Sequence, residues 1–244
     1  MERTMVQPPS PTAFPADLTS LLVVLDYDGT VTDREYNVLA LQRLTGDAWR
    51  PLDEAVVRGE LSHAECFTRQ VGLIDASRDE IVAATLDGAR SAPGFAEFLE
   101  TLVGRGTRVA VVSAGYREAI EELWRREGLP PVELAATTIV PRDGADGPPW
   151  TLRFDPRFGD CPTCGPGGCK AGALRRLRRA GDAVAVFGDG VSDLCLAREA
   201  DIVFARGVLC ELCDREAIAY HRLSDYRLAL AQLTEWTTPP GVTP

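Results

Sequence analysis

Three apolar runs in this chain each have the length of one strand and each stop at a polar side chain or a glycine. They are Leu21–Leu25, residues 109–112 and residues 184–187. Continuous apolar runs of this length predict strands that are covered on both faces, as in a parallel sheet. The stretches between them follow a helical period. Strands that alternate with helices predict an α/β fold, here a Rossmann-like, doubly wound parallel sheet.

The other predicted elements follow from helical spacing and turn residues. A helix is predicted from Pro93 and Gly94 to about Arg105, and another over Arg117–Glu127. Short strands at 137–140 and 151–154 flank a turn-rich stretch at 143–149. Apolar residues at helical spacing, with no strong strand signal, fill residues 33–90. We therefore expect a core formed by residues 17–32 and 91–244, with a small helical cap at 33–90 inserted after the first strand.

Residues 1–16 differ from the rest of the chain in their proline content. Four of these sixteen positions are proline. Such a segment has little apolar surface to bury, which predicts a disordered leader.

The first apolar run ends in two carboxylates, Asp26 and Asp28, separated by one residue. On an extended chain, residues i and i+2 point the same way, so both carboxylates would share one small space. Neighbouring carboxylates repel unless a cation lies between them or one is protonated, and a divalent metal ion meets that need. Taken alone, a solvated Asp-x-Asp-Gly turn explains the segment equally well.

Polar residues also follow the other two runs. Ser113 ends the second, Asp189 and Asp193 follow the third, and Lys170 heads a helical pattern between them. In doubly wound sheets, ligands bind beyond the carboxyl ends of the strands, where these residues would meet. Asp-x-Asp-Gly-Thr, a strand-end Ser, Lys and Gly-Asp-Gly-x-Ser-Asp, in this order, resemble the haloacid dehalogenase superfamily of phosphatases. The resemblance spans about residues 20 to 235.

The resemblance implies a role for each motif residue. Asp26 would be the nucleophile that forms an aspartyl-phosphate, and Asp28 the general acid and base. The side chains of Asp26 and Asp189 and the backbone carbonyl of Asp28 would hold Mg²⁺, with Asp193 orienting its water ligands. The groups that would bind phosphate are Ser113, the backbone amide of Ala114, and Lys170. Without the resemblance, Ser113 is a buried strand-end serine and Lys170 a solvated lysine.

Substrate specificity in this superfamily resides in the cap. Glu35 follows Asp26 by nine residues, where phosphoserine phosphatases also have a Glu that contacts the substrate amine. Their cap arginine, however, aligns with Gln70 here, so a substrate carboxylate loses its bidentate partner. The adjacent Arg69 would face elsewhere on a helix. His63 is a third candidate pocket residue, although a partly exposed structural histidine explains it equally well.

Cysteines cluster before Lys170. Cys161, Cys164 and Cys169 lie within nine residues of one another, and a Cys-x-x-Cys pair follows at Cys210 and Cys213. Similar cysteine-rich loops occur in methionine-salvage enol-phosphate phosphatases and in phosphocholine/phosphoethanolamine phosphatases. Cys161 and Cys164 are also spaced as Cys-x-x-Cys, and two pairs with this spacing suggest a structural Cys₄ zinc site. Its ligands would be Cys161, Cys164 and Cys169 with Cys213 or Cys210. The alternative is reduced thiols in a cytosolic loop.

Charge and hydropathy exclude several classes of partner. The 36 acidic and 26 basic side chains give a formal net charge of -10, which disfavours nucleic acid. No apolar run approaches the roughly 18 residues of a membrane helix, and the N-terminal residues lack the basic-then-apolar pattern of a signal peptide, so we expect a cytoplasmic protein. The sequence does not indicate an oligomeric state.

These observations predict a Mg²⁺-dependent phosphomonoesterase that acts on a small phosphorylated metabolite. The favoured substrate is an enol or sugar-like phosphate of the methionine-salvage type, with phosphoserine or phosphocholine as alternatives. Phosphotransfer to an acceptor alcohol would need the same residues. A non-catalytic phospholigand sensor is the remaining alternative, although no nucleophile or metal carboxylate is missing.

Overall fold

The computed structural model describes residues 17–142 and 147–236, so the predicted leader and the turn at 143–146 lie outside the described residues. Seven strands form one sheet, in the order β4-β3-β2-β1-β7-β8-β9. All neighbours are parallel except β4, which runs antiparallel to β3. The strands of the sheet are β1 Leu21–Leu25, β2 Arg108–Tyr116, β3 Glu133–Pro141, β4 Trp150–Arg153, β7 Ala183–Gly188, β8 Ile202–Ala205 and β9 His221–Arg222.

A separate two-stranded antiparallel hairpin, which the sequence did not predict, consists of β5 Gly159–Cys161 and β6 Gly165–Cys169. The helices are α1 Tyr36–Thr45, α2 Arg50–Val57, α3 His63–Val71, α4 Arg78–Thr85, α5 Phe95–Gly104, α6 Arg117–Glu127, α7 Ala171–Leu177, α8 Leu194–Ala197, α9 Gly207–Glu216 and α10 Tyr226–Trp236.

The sheet is covered on both faces, as the apolar runs predicted. Side chains alternate along β1, so that Leu21, Val23 and Leu25 belong to one core cluster and Leu22 and Val24 to the other. The first cluster is rich in aromatic rings, and the second packs under α7 and α8. Fold class is therefore confirmed as an α/β, doubly wound parallel sheet.

Helices α1 to α4 are inserted between β1 and β2. Local signals define their ends: the Ser62 hydroxyl accepts a hydrogen bond from the Glu65 amide at the start of α3, and Ser77 with Glu80 forms a reciprocal capping box at the start of α4. The insertion packs back on the core through α3, which contacts β4 and β6. In the described ranges, no helix combines the length and apolar content needed to cross a bilayer.

The strand order positions the site. β1 lies between β2 and β7, so Asp26 and Asp189, which follow β1 and β7, lie beside Ser113, in the last part of β2, at the carboxyl edge of the sheet. The inserted helices begin at this edge, directly after β1 and its turn. The edge is therefore the place at which core and insertion meet.

Candidate active site

The turn after β1 is shaped by a glycine. Gly29 adopts a φ of +78°, which L side chains rarely tolerate, and a Cβ there would lie 2.5 Å from Oδ2 of Asp189. The neighbouring Thr30 hydroxyl donates to Oδ1 of Asp189 at 2.7 Å. This turn therefore brings the end of β1 against the end of β7.

A buried lysine connects two aspartates at the floor of the site. Lys170 Nζ lies 2.6 Å from Oδ1 of Asp26 and 2.8 Å from Oδ1 of Asp193. All three side chains are almost inaccessible to solvent. The other oxygen of Asp193 accepts hydrogen bonds from the backbone amides of Asp189 and Gly190, both at 3.1 Å. The ammonium is therefore held in one position by two buried carboxylates.

Negative charge exceeds positive charge at this floor. Oxygens of Asp26, Asp189 and Asp193 all lie within 4.8 Å of one another, with Lys170 as their buried cation. Burial and the Asp193 carboxylate raise the pKa of Asp26 to about 7 despite the opposing effect of Lys170, and the same two causes raise the pKa of Asp189 to about 7. Three hard oxygen donors with excess negative charge fit a divalent cation such as Mg²⁺.

Asp28 connects the core to the insertion. Its Oδ1 accepts from the backbone amide of Tyr36 at 2.5 Å and its Oδ2 from that of Asn37 at 2.9 Å, so it binds the first turn of α1. Burial raises the pKa of Asp28 to about 8, although these two N–H groups oppose the shift. The N-terminus of α1 thus orients the carboxyl group beside Asp26.

The end of β2 forms a compact polar turn. The Gly115 amide donates to the Ser113 hydroxyl at 3.0 Å, and the half-buried Ala114 lies between them. A Cβ at Gly115 would lie 2.6 Å from Nδ2 of Asn37, so a larger residue there would displace the Asn37 side chain. Ser113, Ala114 and Lys170 all line the cavity described next.

A cavity of about 450 Å³ extends from this floor into the insertion. All three cap residues predicted from the sequence, Glu35, His63 and Gln70, line it. Gln70 Nε2 donates to Oδ1 of Asp53 at 2.7 Å, while Arg69 pairs with Glu65 on the exposed side of α3. Burial and the nearby Lys170 lower the pKa of His63.

Several lining residues were missed from the sequence. These are Asn37 and Asp53, which are polar, and the exposed valines Val38, Val57, Val191 and Val208. Arg206 was also missed: its guanidinium donates to the carbonyls of Thr30 and Thr32, at 2.9 and 2.8 Å, and so supports the turn after β1. Helical spacing offered a signal for Asp53, because Asp53, Val56 and Val57 share one face of α2.

The structure corrects the predicted cysteine set. Sulfurs of Cys161, Cys164 and Cys169 do converge, but the fourth member within 4.8 Å is Cys195 from α8. Cys213 lies instead in α9, in an apolar cluster with Cys210. The Cys-x-x-Cys pair of α9 is buried in that cluster with Val203 and Ala205 of β8 and does not belong to the group of four converging sulfurs.

The fold is a doubly wound sheet, and the carboxylates and the buried lysine meet at the ends of its central strands. This combination is typical of one class of hydrolase. The chain belongs to the haloacid dehalogenase-like hydrolase family, whose sequence model matches residues 23–198. It is a phosphatase of this family, as the curated relatives that it matches over most of their length also are.

Two relatives illustrate the similarity in sequence. The chain is 30% identical over 207 residues to the 2-hydroxy-3-keto-5-methylthiopentenyl-1-phosphate phosphatase of Exiguobacterium sibiricum, covering 82% of this chain and 90% of the relative. It is 27% identical over 218 residues to the bifunctional enzyme MtnB/MtnX of Bacillus licheniformis. That match covers 84% of this chain but spans about half, 47%, of the bifunctional relative.

Solved structures show the same fold. A phospho-aspartyl intermediate analogue of phosphoserine phosphatase superposes with a TM-score of 0.62 at 18% identity, covering 87% of this chain and 98% of that one. A family hydrolase from Salmonella enterica serovar Typhi superposes with a TM-score of 0.68 at 20% identity, covering 96% and 75%. Identities this low establish the architecture and leave the substrate open.

Proposed function

We propose that this phosphatase is a Mg²⁺-dependent phosphomonoesterase in which Asp26 is the nucleophile and Asp28 the general acid and base. The observation that carries the proposal is the convergence of Asp26, Asp189 and Asp193 around buried Lys170 at the floor of one cavity. Asp26, Asp189 and the Asp28 backbone carbonyl would hold the metal ion, with Asp193 orienting its water ligands. A bound Mg²⁺ would offset the negative charge of the carboxylates and the phosphate oxygens.

The chain's own groups supply the two displacements. An Asp26 carboxylate oxygen attacks phosphorus, the bond from phosphorus to the leaving oxygen breaks, and Asp28 gives that oxygen its proton. Water then attacks the aspartyl-phosphate, Asp28 takes a proton from it, and the bond between Asp26 and phosphorus breaks. Lys170 and the Ser113 turn bind the phosphoryl oxygens in both steps. If an acceptor alcohol replaced the water, the product would be a new ester, which product analysis with acceptors present would reveal.

Substitution of the nucleophile tests this assignment. The neutral amide of Asp26→Asn cannot attack phosphorus, so we expect turnover of an aryl phosphate to fall by about a thousandfold or more. Asp87→Asn, an exposed change on the insertion, is the matched control and should keep wild-type turnover. Circular dichroism and thermal unfolding establish that both variants fold. Wild-type turnover in folded Asp26→Asn would overturn the assignment.

The cavity wall favours an uncharged substrate body. Among the described residues that line it, Lys170 is the one lysine or arginine, and its charge is already engaged by Asp26 and Asp193. A substrate carboxylate would therefore enter without a cationic partner, beside Asp53. The amide of Gln70 can bind a hydroxyl or carbonyl, and the exposed valines can contact an apolar tail. We infer an enol or sugar-like phosphate of the methionine-salvage type, in agreement with the names of the relatives.

Phosphocholine is the second candidate, because Glu35 and Asp53 place two carboxylates on the cavity wall where a cationic group could pair. Phosphoserine shares that amine interaction but lacks a partner for its carboxylate. A panel of phosphometabolites under one Mg²⁺ concentration separates the three by kcat/KM. We expect the methionine-salvage enol phosphate to have the highest kcat/KM of the three. A tenfold preference for phosphoserine would contradict our interpretation of Gln70.

We also propose that the insertion, residues 33–90, acts as a cap that determines specificity. Supporting this, it contributes Glu35, Asp53, His63 and Gln70 to the wall, and the first turn of α1 binds Asp28. Closure of the insertion and orientation of the acid would then be linked. Small aryl phosphates, which reach little of the wall, should depend less on these residues than the natural substrate does.

A further inference from the structure

Four cysteines form a compact cluster behind the catalytic floor. Cys161 lies in β5, Cys164 in the hairpin turn, Cys169 at the end of β6 and Cys195 in α8. Their sulfurs all lie within 4.8 Å of one another, and Cys164 and Cys169 are each only 1% exposed. All seven cysteines of the chain are free. No step of the proposed reaction uses these thiols.

The sulfur separations match a tetrahedral metal site. Cys195 Sγ lies 3.8 Å from Cys161 Sγ and 3.9 Å from Cys164 Sγ. Zinc-to-thiolate bonds of about 2.3 Å, arranged as a tetrahedron, place neighbouring sulfurs roughly 3.8 Å apart. A disulfide would require about 2.05 Å between one pair and would leave the other two thiols unused.

Donors of hydrogen bonds also surround the sulfurs. The Cys164 amide donates to Cys161 Sγ at 3.2 Å, and the Arg198 guanidinium lies 3.9 Å from Cys195 Sγ. Hydrogen bonds with the Cys164 and Cys195 thiols lower the pKa of the Cys169 thiol, and the Ala171 amide adds a smaller effect in the same direction. Such donors stabilise thiolates and orient them as ligands. Arg198 also forms an ion pair with Glu216, so its positive charge is shared between that carboxylate and the sulfurs.

We propose that Cys161, Cys164, Cys169 and Cys195 bind one structural zinc ion. Each thiol that binds releases its proton to solvent, and the four sulfurs fill the coordination shell, so that no position is left open for a substrate. The ligand set differs from the one expected from Cys-x-x-Cys spacing, because the fourth ligand comes from the helix after the metal-binding aspartates.

The site would fix the catalytic floor, a consequence that rests on the proposed function. Cys169 directly precedes Lys170, and Cys195 follows Asp193 by two residues, so the ion would clamp together the two segments whose side chains pair at 2.8 Å. The same hairpin binds the insertion, since the amides of His63 and Ala64 donate to the carbonyls of Thr163 and Cys164, at 3.3 and 2.9 Å. Lys170, Asp193 and α3 would therefore all depend on one ion.

Metal analysis of the full-length protein, expressed with zinc and purified without chelator, tests the site directly. We expect one zinc ion per chain in the wild type and its loss in Cys195→Ser. Cys213→Ser is the matched control, because it removes a buried cysteine outside the cluster and should keep the zinc. Cobalt substituted into the wild type should give the intense visible bands of a tetrahedral thiolate complex. The wild-type stoichiometry and the cobalt spectrum suffice if Cys195→Ser fails to fold.

Each result is informative without reference to catalysis, so failure of this proposal can be told from failure of the proposed function. Zinc-free wild type with seven titratable thiols would overturn it, as would a disulfide within the cluster or iron in place of zinc. Folded Cys195→Ser with full zinc would overturn the ligand assignment. The consequence for the floor predicts that zinc-free enzyme has a higher KM for an aryl phosphate; an unchanged KM would restrict the ion to stabilising the hairpin.

Discussion

At the scale of single residues, the site depends on a contact that only glycine permits. Gly29 combines a positive φ with a carboxylate oxygen of Asp189 that lies only 2.5 Å from the position of a Cβ. Gly59 has a similar φ of +73° but open space around it. A comparison of alanine variants at the two glycines therefore separates the free-energy cost of the left-handed backbone from the effect of crowding Asp189, the proposed metal ligand.

We expect Gly29→Ala and Gly59→Ala each to lose about 1–2 kcal/mol of folding free energy, because both place a Cβ on a left-handed backbone. Only Gly29→Ala should also displace Asp189, weakening Mg²⁺ binding and lowering kcat/KM by about a hundredfold. Thermal unfolding measures the first effect and steady-state kinetics with Mg²⁺ titration the second. Equal activity of the two variants would show that Asp189 tolerates the added methyl group.

Asp53 lies on the wall of the cavity, so a substitution there tests the wall separately from the catalytic floor. It accepts from Gln70 and belongs to the inserted helix α2, far in sequence from every catalytic motif. In Asp53→Asn the hydrogen bond loses its charge, worth about 1.5–3 kcal/mol, so we expect kcat/KM for the favoured metabolite to fall roughly tenfold or more. Turnover of a small aryl phosphate should hardly change.

Glu54→Gln is the control for that variant, since Glu54 is exposed beside Arg58 and does not line the cavity. If Asp53→Asn reduced kcat/KM equally for the metabolite and the aryl phosphate, Asp53 would act through the structure of the floor rather than through substrate specificity. A fall in kcat/KM for phosphocholine alone would support phosphocholine, the second candidate substrate.

The residues proposed for catalysis could be selected from the sequence because most of them lie at or near the end of an apolar run, and Lys170 heads a helix. Asp26, Ser113 and Asp189 sit at strand ends that the run lengths already define. Cys195 and Arg206 could not be found this way, because their partners lie 26 or more residues away and the pairing depends on how α8 and β8 pack. Short-range spacing instead suggested Cys213, which is wrong.

At the scale of elements, the hairpin β5–β6 connects the core to the insertion. Its glycines pack against α3: a Cβ at Gly168 would lie 2.6 Å from the Ala64 Cβ and 2.7 Å from the Cys164 carbonyl oxygen. The hairpin escaped prediction because Gly-Pro-Gly-Gly has almost no strand propensity. Its extended shape comes from tertiary packing and the cysteine cluster, which local sequence patterns do not contain.

The variant Gly168→Ala would push the hairpin away from α3, the helix that carries His63 and Gln70. We expect KM for the favoured metabolite to rise several-fold, since a misplacement of about 1 Å weakens oriented contacts, while kcat for an aryl phosphate stays near wild type. Gly104→Ala, at the exposed end of α5, is the control, because Gly104 has no positive φ and a Cβ there meets nothing within 4 Å. Both variants are measured by steady-state kinetics on the two substrates. Identical kinetics for both would exclude a role of this contact in positioning the wall.

At the scale of the whole molecule, the fold class followed from the alternation of buried strands and amphipathic helices, and the structure confirms it. The order of the seven strands did not follow, because pairing partners such as β1 and β7 are about 160 residues apart and nothing local specifies them. The same non-local pairing is what concentrates acidic groups at one edge. Their combined charge has a consequence for stability.

Without a divalent cation, burial raises the pKa values of Asp26, Asp28 and Asp189 to about 7 or 8, well above their unfolded values near 4. The folded chain then binds more protons than the unfolded chain between about pH 4 and 8, so these groups favour folding at low pH and lose that contribution as pH rises through 7 to 8. We therefore expect Tm in Mg²⁺-free buffer to fall between pH 6 and 8. Added Mg²⁺ should raise Tm more at pH 8 than at pH 6, because only the ionised carboxylates bind it. Asp26→Asn should weaken this pH dependence, and an equal rise of Tm at both pH values would contradict it.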